Sequence, residues 1–137
     1  MTTITEIVAQ HRHREGALLP VLHDVQHEFG FVSEDAIREI ATALNLTRAE
    51  VHGVVSFYHD YRAAPVAKPV IKLCRAEACQ ARGVDAVVAA IADQDRVKIE
   101  SVYCLGLCGV GPAALVGDIP HARLDTTKLT ALMESIA

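Results

Sequence analysis

A chain of 137 residues, 51% of them apolar, can bury a core and is long enough for one ordinary domain or two very small ones. Thirteen Lys and Arg against seventeen Asp and Glu leave a net charge of -4 with no block of like charges, which argues against nucleic acid as the main partner. No apolar run approaches the roughly 20 residues of a membrane-spanning helix, and the N-terminus lacks a basic region followed by an apolar stretch, so a cytoplasmic protein without a secretory signal is expected.

The first half carries apolar residues at helical spacing. Ile4, Ile7 and Val8 form a short stripe opened by Thr3 and Glu6, which have the spacing of a capping box. A second stripe, Leu18, Leu22, Val25 and Phe29, has Pro20 in its first turn and Gly30 after its end as a left-handed cap. A third, Ile37, Ile40, Ala41 and Leu44, is preceded by Ser33 as N-cap and by Glu34 and Asp35, and ends at Asn45. Thr47 and Glu50 repeat the capping-box spacing ahead of Val51, Val54, Val55 and Tyr58. A helical bundle of about four helices over residues 1–65 is predicted. Two prolines and no period mark Arg62 to Pro69 as a linker.

Beyond it the pattern changes. Val70 to Leu73 reads as a strand, Val84, Val87, Val88 and Ile91 as a helix, and the alternation from Val97 to Val102 as a second strand, parallel to the first. Ala113 to Val116 and Ile119 to Leu124 flank Gly117-Asp118 as a hairpin, and Thr126 or Thr127 caps a last helix carrying Leu129, Leu132, Met133 and Ile136. Residues 69–137 are thus expected to form an α/β unit with a mixed sheet of about four strands, which makes the whole chain α+β.

All four cysteines lie in this second half. Cys74 ends the first strand, Cys79 lies near the start of its helix, and Cys104 and Cys108 follow the second strand. The carboxyl ends of parallel strands open on one sheet edge, so the four thiols are expected to converge there. Four gathered thiolates repel unless they bind metal, pair as disulfides or stay protonated, and cytosolic thiols are kept reduced. Gly106, Gly109 and Gly111 permit a loop that wraps an inorganic cluster and aims N-H groups at its sulfides. The C-x4-C and C-x3-C spacings fit structural zinc only at the upper end of its range, and C-x-x-C is absent. An iron-sulfur cluster is therefore favoured, with zinc and unrelated buried thiols as alternatives.

The pattern Cys74-x4-Cys79 and Cys104-Leu-Gly-x-Cys108 on a strand-helix-strand unit resembles the thioredoxin-like 2Fe-2S ferredoxin family. Val51-His-Gly-Val-Val-Ser-Phe-Tyr58 is similar to the segment that precedes this domain in the small iron-sulfur subunit of NADH dehydrogenases. Cys74 to Gln80, Gly111 to Val116 and His121 to Leu124 look most like the gamma subunit of soluble NAD-dependent formate dehydrogenases. The resemblance implies a thioredoxin-like fold and one 2Fe-2S cluster, with Cys74 and Cys79 matching one pair of ligands and Cys104 and Cys108 the other. It implies no catalytic residue on this chain. The implied partners are a larger subunit with FMN, an NAD site and further clusters, and a third subunit that oxidises formate at a molybdenum cofactor. An NADH dehydrogenase or a bidirectional hydrogenase is the alternative parent complex, and a zinc-stapled adaptor the alternative role.

Other residues carry weaker signals. His23 and His27 have i, i+4 spacing but lack the Glu of an H-E-x-x-H motif, so a solvated face is expected. His11-Arg-His-Arg14 reads as an exposed helix end or a partner contact. Arg75 and Arg82 bracket the first cysteine pair; Arg82 reads as solvated, and Arg75 either as solvated or as a cation acting on the cluster. Phe57, Tyr58 and Tyr61 suit either a partner interface or the seam between the halves. Pro112 stands where thioredoxin-like folds often hold a cis proline.

Overall fold

Thr3 opens the first helix as its spacing predicts. Its hydroxyl accepts from Glu6 N-H while the Glu6 carboxylate accepts from Thr3 N-H, so two otherwise orphaned donors of the helix end are satisfied. The computed structural model describes residues 2–137, which divide into one unit up to Pro65 and another from Val66.

The first unit holds four helices, α1 (Ile4–His11), α2 (Leu18–Phe29), α3 (Glu34–Leu44) and α4 (Arg48–Phe57). Gly30 and Asn45 close α2 and α3 in the left-handed conformation, and Thr47 with Glu50 repeats the capping box on α4. The core gathers Ile7, Val8, Val21, Leu22, Val25, Ile37, Ile40 and Val51. Each such side chain contributes about 1.5–3 kcal/mol by leaving water.

Three expectations shift here. Val21 takes the buried place in α2 that the stripe assigned to Leu18 and Phe29; Leu18 is partly buried and Phe29 exposed, because the buried face turns toward residues 21, 22 and 25. Tyr58 lies beyond the end of α4 in extended backbone and is exposed. His11 is no exposed helix end, since it is buried beside Asp24.

The second unit is a four-stranded sheet with helices. Its strands are β1 (Val70–Cys74), β2 (Lys98–Val102), β3 (Ala114–Val116) and β4 (Ile119–His121), in the order β2-β1-β3-β4. β1 and β2 run parallel with Val70 opposite Lys98 and Cys74 opposite Val102, while β3 is antiparallel to both β1 and β4. Helices α5 (Glu77–Ala81) and α6 (Val84–Ala90) join β1 to β2, and α7 (Thr126–Ile136) ends the chain. Ile71, Leu73, Ala114, Val84, Val87, Leu129 and Met133 form the core beneath the sheet.

The crossover helix expected after Cys79 is two helices, broken at Gly83, whose φ of 91° is a left-handed value that ends one helix and admits the next. The hairpin turns at Gly117-Asp118 as expected, but β4 stops at His121, three residues before Leu124, where the chain turns away to place Leu124 in the core. Asp125, rather than Thr126 or Thr127, caps α7 by accepting from Lys128 N-H; its carboxylate is the better acceptor at the positive helix end. No helix among the described residues is long and apolar enough to cross a membrane.

Candidate metal centre

β1 delivers Cys74 to the end of the central parallel pair, where its backbone N-H donates to Ala113 and the next N-H, of Arg75, donates to Val102. The following helical turn, α5, carries Cys79 back toward it. Both thiols are buried, each about 2% exposed, because the strand and the short helix press them into the core. Cys104 and Cys108 belong to the loop after β2 and are exposed. Cys104 holds a φ of 83°, a left-handed value uncommon outside glycine, and Gly106 follows at 75°. The two turns bring Cys104 Sγ and Cys108 Sγ to 3.5 Å, and Gly106 N-H donates to Cys104 Sγ at 3.4 Å.

The sulfurs sit among backbone donors. Burial opposes the Cys74 thiolate, but N-H groups of Ala76, Cys104 and Leu105, together with the Cys79 thiol, outweigh it and hold this thiol below its ordinary value. Burial pushes the Cys79 thiol up against one favourable N-H from Ala113, and the neighbouring Cys74 and Cys108 sulfurs push the same way. Cys108 is raised first by its hydrogen bond with Cys104 and then by the charge of that sulfur. Several backbone dipoles already point at the sulfurs. Such N-H groups are what an anionic cluster needs around its ligand sulfurs.

The arrangement is two thiol pairs, Cys74 with Cys79 and Cys104 with Cys108. One tetrahedral zinc ion with Zn-S bonds of about 2.3 Å would demand all four sulfurs about 3.8 Å from one another. No group of three or more His, Cys, Asp or Glu side chains among the described residues is arranged to hold one ion in that way.

Gly111 completes the pocket. A Cβ there would stand 3.0 Å from Cys79 Sγ and 3.3 Å from Arg82 Cδ, so the sulfur occupies space that any side chain would claim. The Gly111-Pro112 bond is cis. Spacing singled out the cysteines and the glycines of the loop; the N-H donors of Ala76, Leu105 and Ala113, and the contact at Gly111, emerge only from the folded backbone. His23 and His27 are exposed. Arg75 is consumed by Asp85, to which its Nε and terminal nitrogen donate at 3.1 and 2.7 Å.

Residues 4–137 match the model of the thioredoxin-like 2Fe-2S ferredoxin family. Among curated proteins, the chain is 30% identical to the NADP-reducing hydrogenase subunit HndA of Solidesulfovibrio fructosivorans, covering 95% of this chain and 82% of that one. It is 29% identical to NADH-quinone oxidoreductase subunit 2 of Thermus thermophilus, covering 90% and 75%. Among solved structures, an NAD+-reducing NiFe hydrogenase in its H2-reduced state superposes with a TM-score of 0.71 and 31% identity over 87% of this chain. The chain spans only 22% of the length of that hydrogenase chain.

Proposed function

The chain belongs to the thioredoxin-like 2Fe-2S ferredoxin family, and from that membership we propose that it is an electron-transfer subunit in which Cys74, Cys79, Cys104 and Cys108 hold one 2Fe-2S cluster. The observation that carries the ligand set is the gathering of the four thiols as two pairs among inward-pointing N-H groups. A bound cluster takes up and releases one electron at a time. The chain's own residues supply ligation, partial burial and hydrogen bonds, and no residue is assigned to bond-making chemistry on a substrate.

The parent complex is of the NAD-linked type, in line with relatives from NADH-quinone oxidoreductase and hydrogenases. We assign it more narrowly to a soluble NAD-dependent formate dehydrogenase. Support for that comes from the sequence segments at 74–80, 111–116 and 121–124. The partners are then a flavin subunit with FMN and the NAD site, with which this chain exchanges electrons, and a molybdenum subunit reached through the complex. The residues divide between an N-terminal bundle, 1–65, and a cluster domain, 69–137, in a protein of the cytoplasm.

The deciding experiment is anaerobic purification of the chain, with iron, zinc and acid-labile sulfide measured per protein and electron paramagnetic resonance recorded before and after dithionite. Paired iron and sulfide with a signal that appears only on reduction is the expected result. Zinc without sulfide or signal would replace electron transfer by a structural adaptor role. Co-purification with a tagged copy names the parent complex, and a partner set without a molybdenum subunit overturns the formate assignment.

A further inference from the structure

Arg82 lies three residues after Cys79, at the end of the one-turn helix α5. Its Cδ and the Cys79 sulfur both stand over the bare face of Gly111, at 3.3 and 3.0 Å from the point a Cβ would occupy. Stem and sulfur are thus no farther apart than those two distances added. Among the described residues the Arg82 side chain makes no hydrogen bond or ion pair, whereas the nearby Arg75 is neutralised by Asp85. Glu77, at the opposite end of α5, is exposed. Arg82 is therefore an uncompensated cation beside the buried thiol pair, the reverse of the weighting that sequence position suggested.

We propose that Arg82 is a tuning residue that raises the reduction potential of the cluster held by these cysteines, an inference that rests on the cluster assignment above. Reduction adds one electron to a group already made anionic by its thiolate and sulfide ligands. A positive charge carried on a stem that lies beside one ligand sulfur favours the more negative, reduced form. The guanidinium reaches toward solvent, so salt screens the effect without abolishing it. Gly111 leaves this space open: with no Cβ there, the arginine stem and the sulfur both lie against its bare face.

The test is a redox titration of the full chain carrying its cluster, followed by visible absorbance and by the resonance signal of the reduced form. Arg82→Gln and Arg82→Met both drop the charge, and Met keeps an apolar stem over Gly111 should the Gln variant lose its cluster. Either is expected to lower the reduced-to-oxidised ratio at the original midpoint about three- to tenfold, about 30 to 60 mV for a one-electron couple. Arg82→Lys is expected to restore most of the shift, and raised ionic strength to shrink the gap between Arg82 and Met. An unchanged midpoint in the charge-dropping variants, or one lowered as far by Lys as by Met, overturns the inference and leaves the cluster assignment standing. Failure of the unsubstituted chain to assemble a 2Fe-2S cluster overturns both.

Discussion

His11 Nε2 lies 2.5 Å from Asp24 Oδ2, tying the last turn of α1 to the middle of α2, while Nδ1 of the same ring is buried with no hydrogen-bond partner. One end of the ring is satisfied and the other carries a desolvation cost. His11→Leu removes the orphaned nitrogen and keeps most of the volume, and the half-exposed Asp24 can rehydrate, so stability is expected to hold within about 1 kcal/mol. His11→Ala leaves a cavity and is expected to cost about 2 kcal/mol. Urea denaturation of both variants checks this; equal losses would mean that the contact with Asp24, and not the packing, carries the site.

The two cysteine pairs differ in what they do for the fold. Cys108→Ala removes an exposed sulfur and is expected to abolish the normal cluster while leaving the metal-free chain folded as before. Cys79→Ala removes a buried one and is expected to abolish the cluster and also cost the metal-free chain about 1 kcal/mol. Iron content and thermal unfolding of the two apo variants separate the effects. A stoichiometric, normal cluster in Cys108→Ala would refute the ligand set.

Gly111→Ala sets a methyl group 3.0 Å from Cys79 Sγ, closer than such atoms approach. The sulfur is held in the core and cannot swing away freely, so overpacking is expected to cost about 1–3 kcal/mol. Cluster content per chain is expected to fall in parallel. Gly109→Ala meets open space and serves as the comparison, expected to leave both measurements near the unsubstituted values.

Stability should fall in acid through the helix caps. The Glu50 carboxyl accepts from Thr47 N-H and hydroxyl, which hold it below its ordinary value of 4.5, and Glu6 is held down by Thr3 in the same way. A carboxyl depressed on folding contributes stability above its unfolded value and loses it as pH falls through the folded one, so the loss begins near 4.5 and deepens below it. Helical circular dichroism between about pH 5 and 3 follows the change. Glu50→Gln and Glu6→Gln are expected to flatten that slope.

Local rules carried much of this architecture. Capping boxes, Gly30, Asn45 and the period-2 alternation around Ile99 act within a few residues, so the elements they start and stop were legible in the chain. Gly83 was harder, because a glycine inside a helical pattern does not announce that it will take a positive φ. Asp125 and Thr126 compete for the same cap, and only the path of the chain after β4 selects between them. At the site, cysteine spacing pointed to the edge where the thiols gather. The partition of charge between Arg75 and Arg82 depends on Asp85, which stands in α6 ten residues from Arg75, and on a missing Cβ at Gly111, a combination that no local window contains.

Both outer edges of the sheet carry features that disfavour further pairing. β4 is three residues long with Pro120 at its centre, and β2 carries the Lys98-Glu100 ion pair. Short strands, prolines and charges on an edge deny an incoming strand its hydrogen-bond ladder. These features work against joining copies of the protein into extended sheets and leave side-chain surfaces and loops, among them the exposed loop that carries Cys104 and Cys108, for recognition.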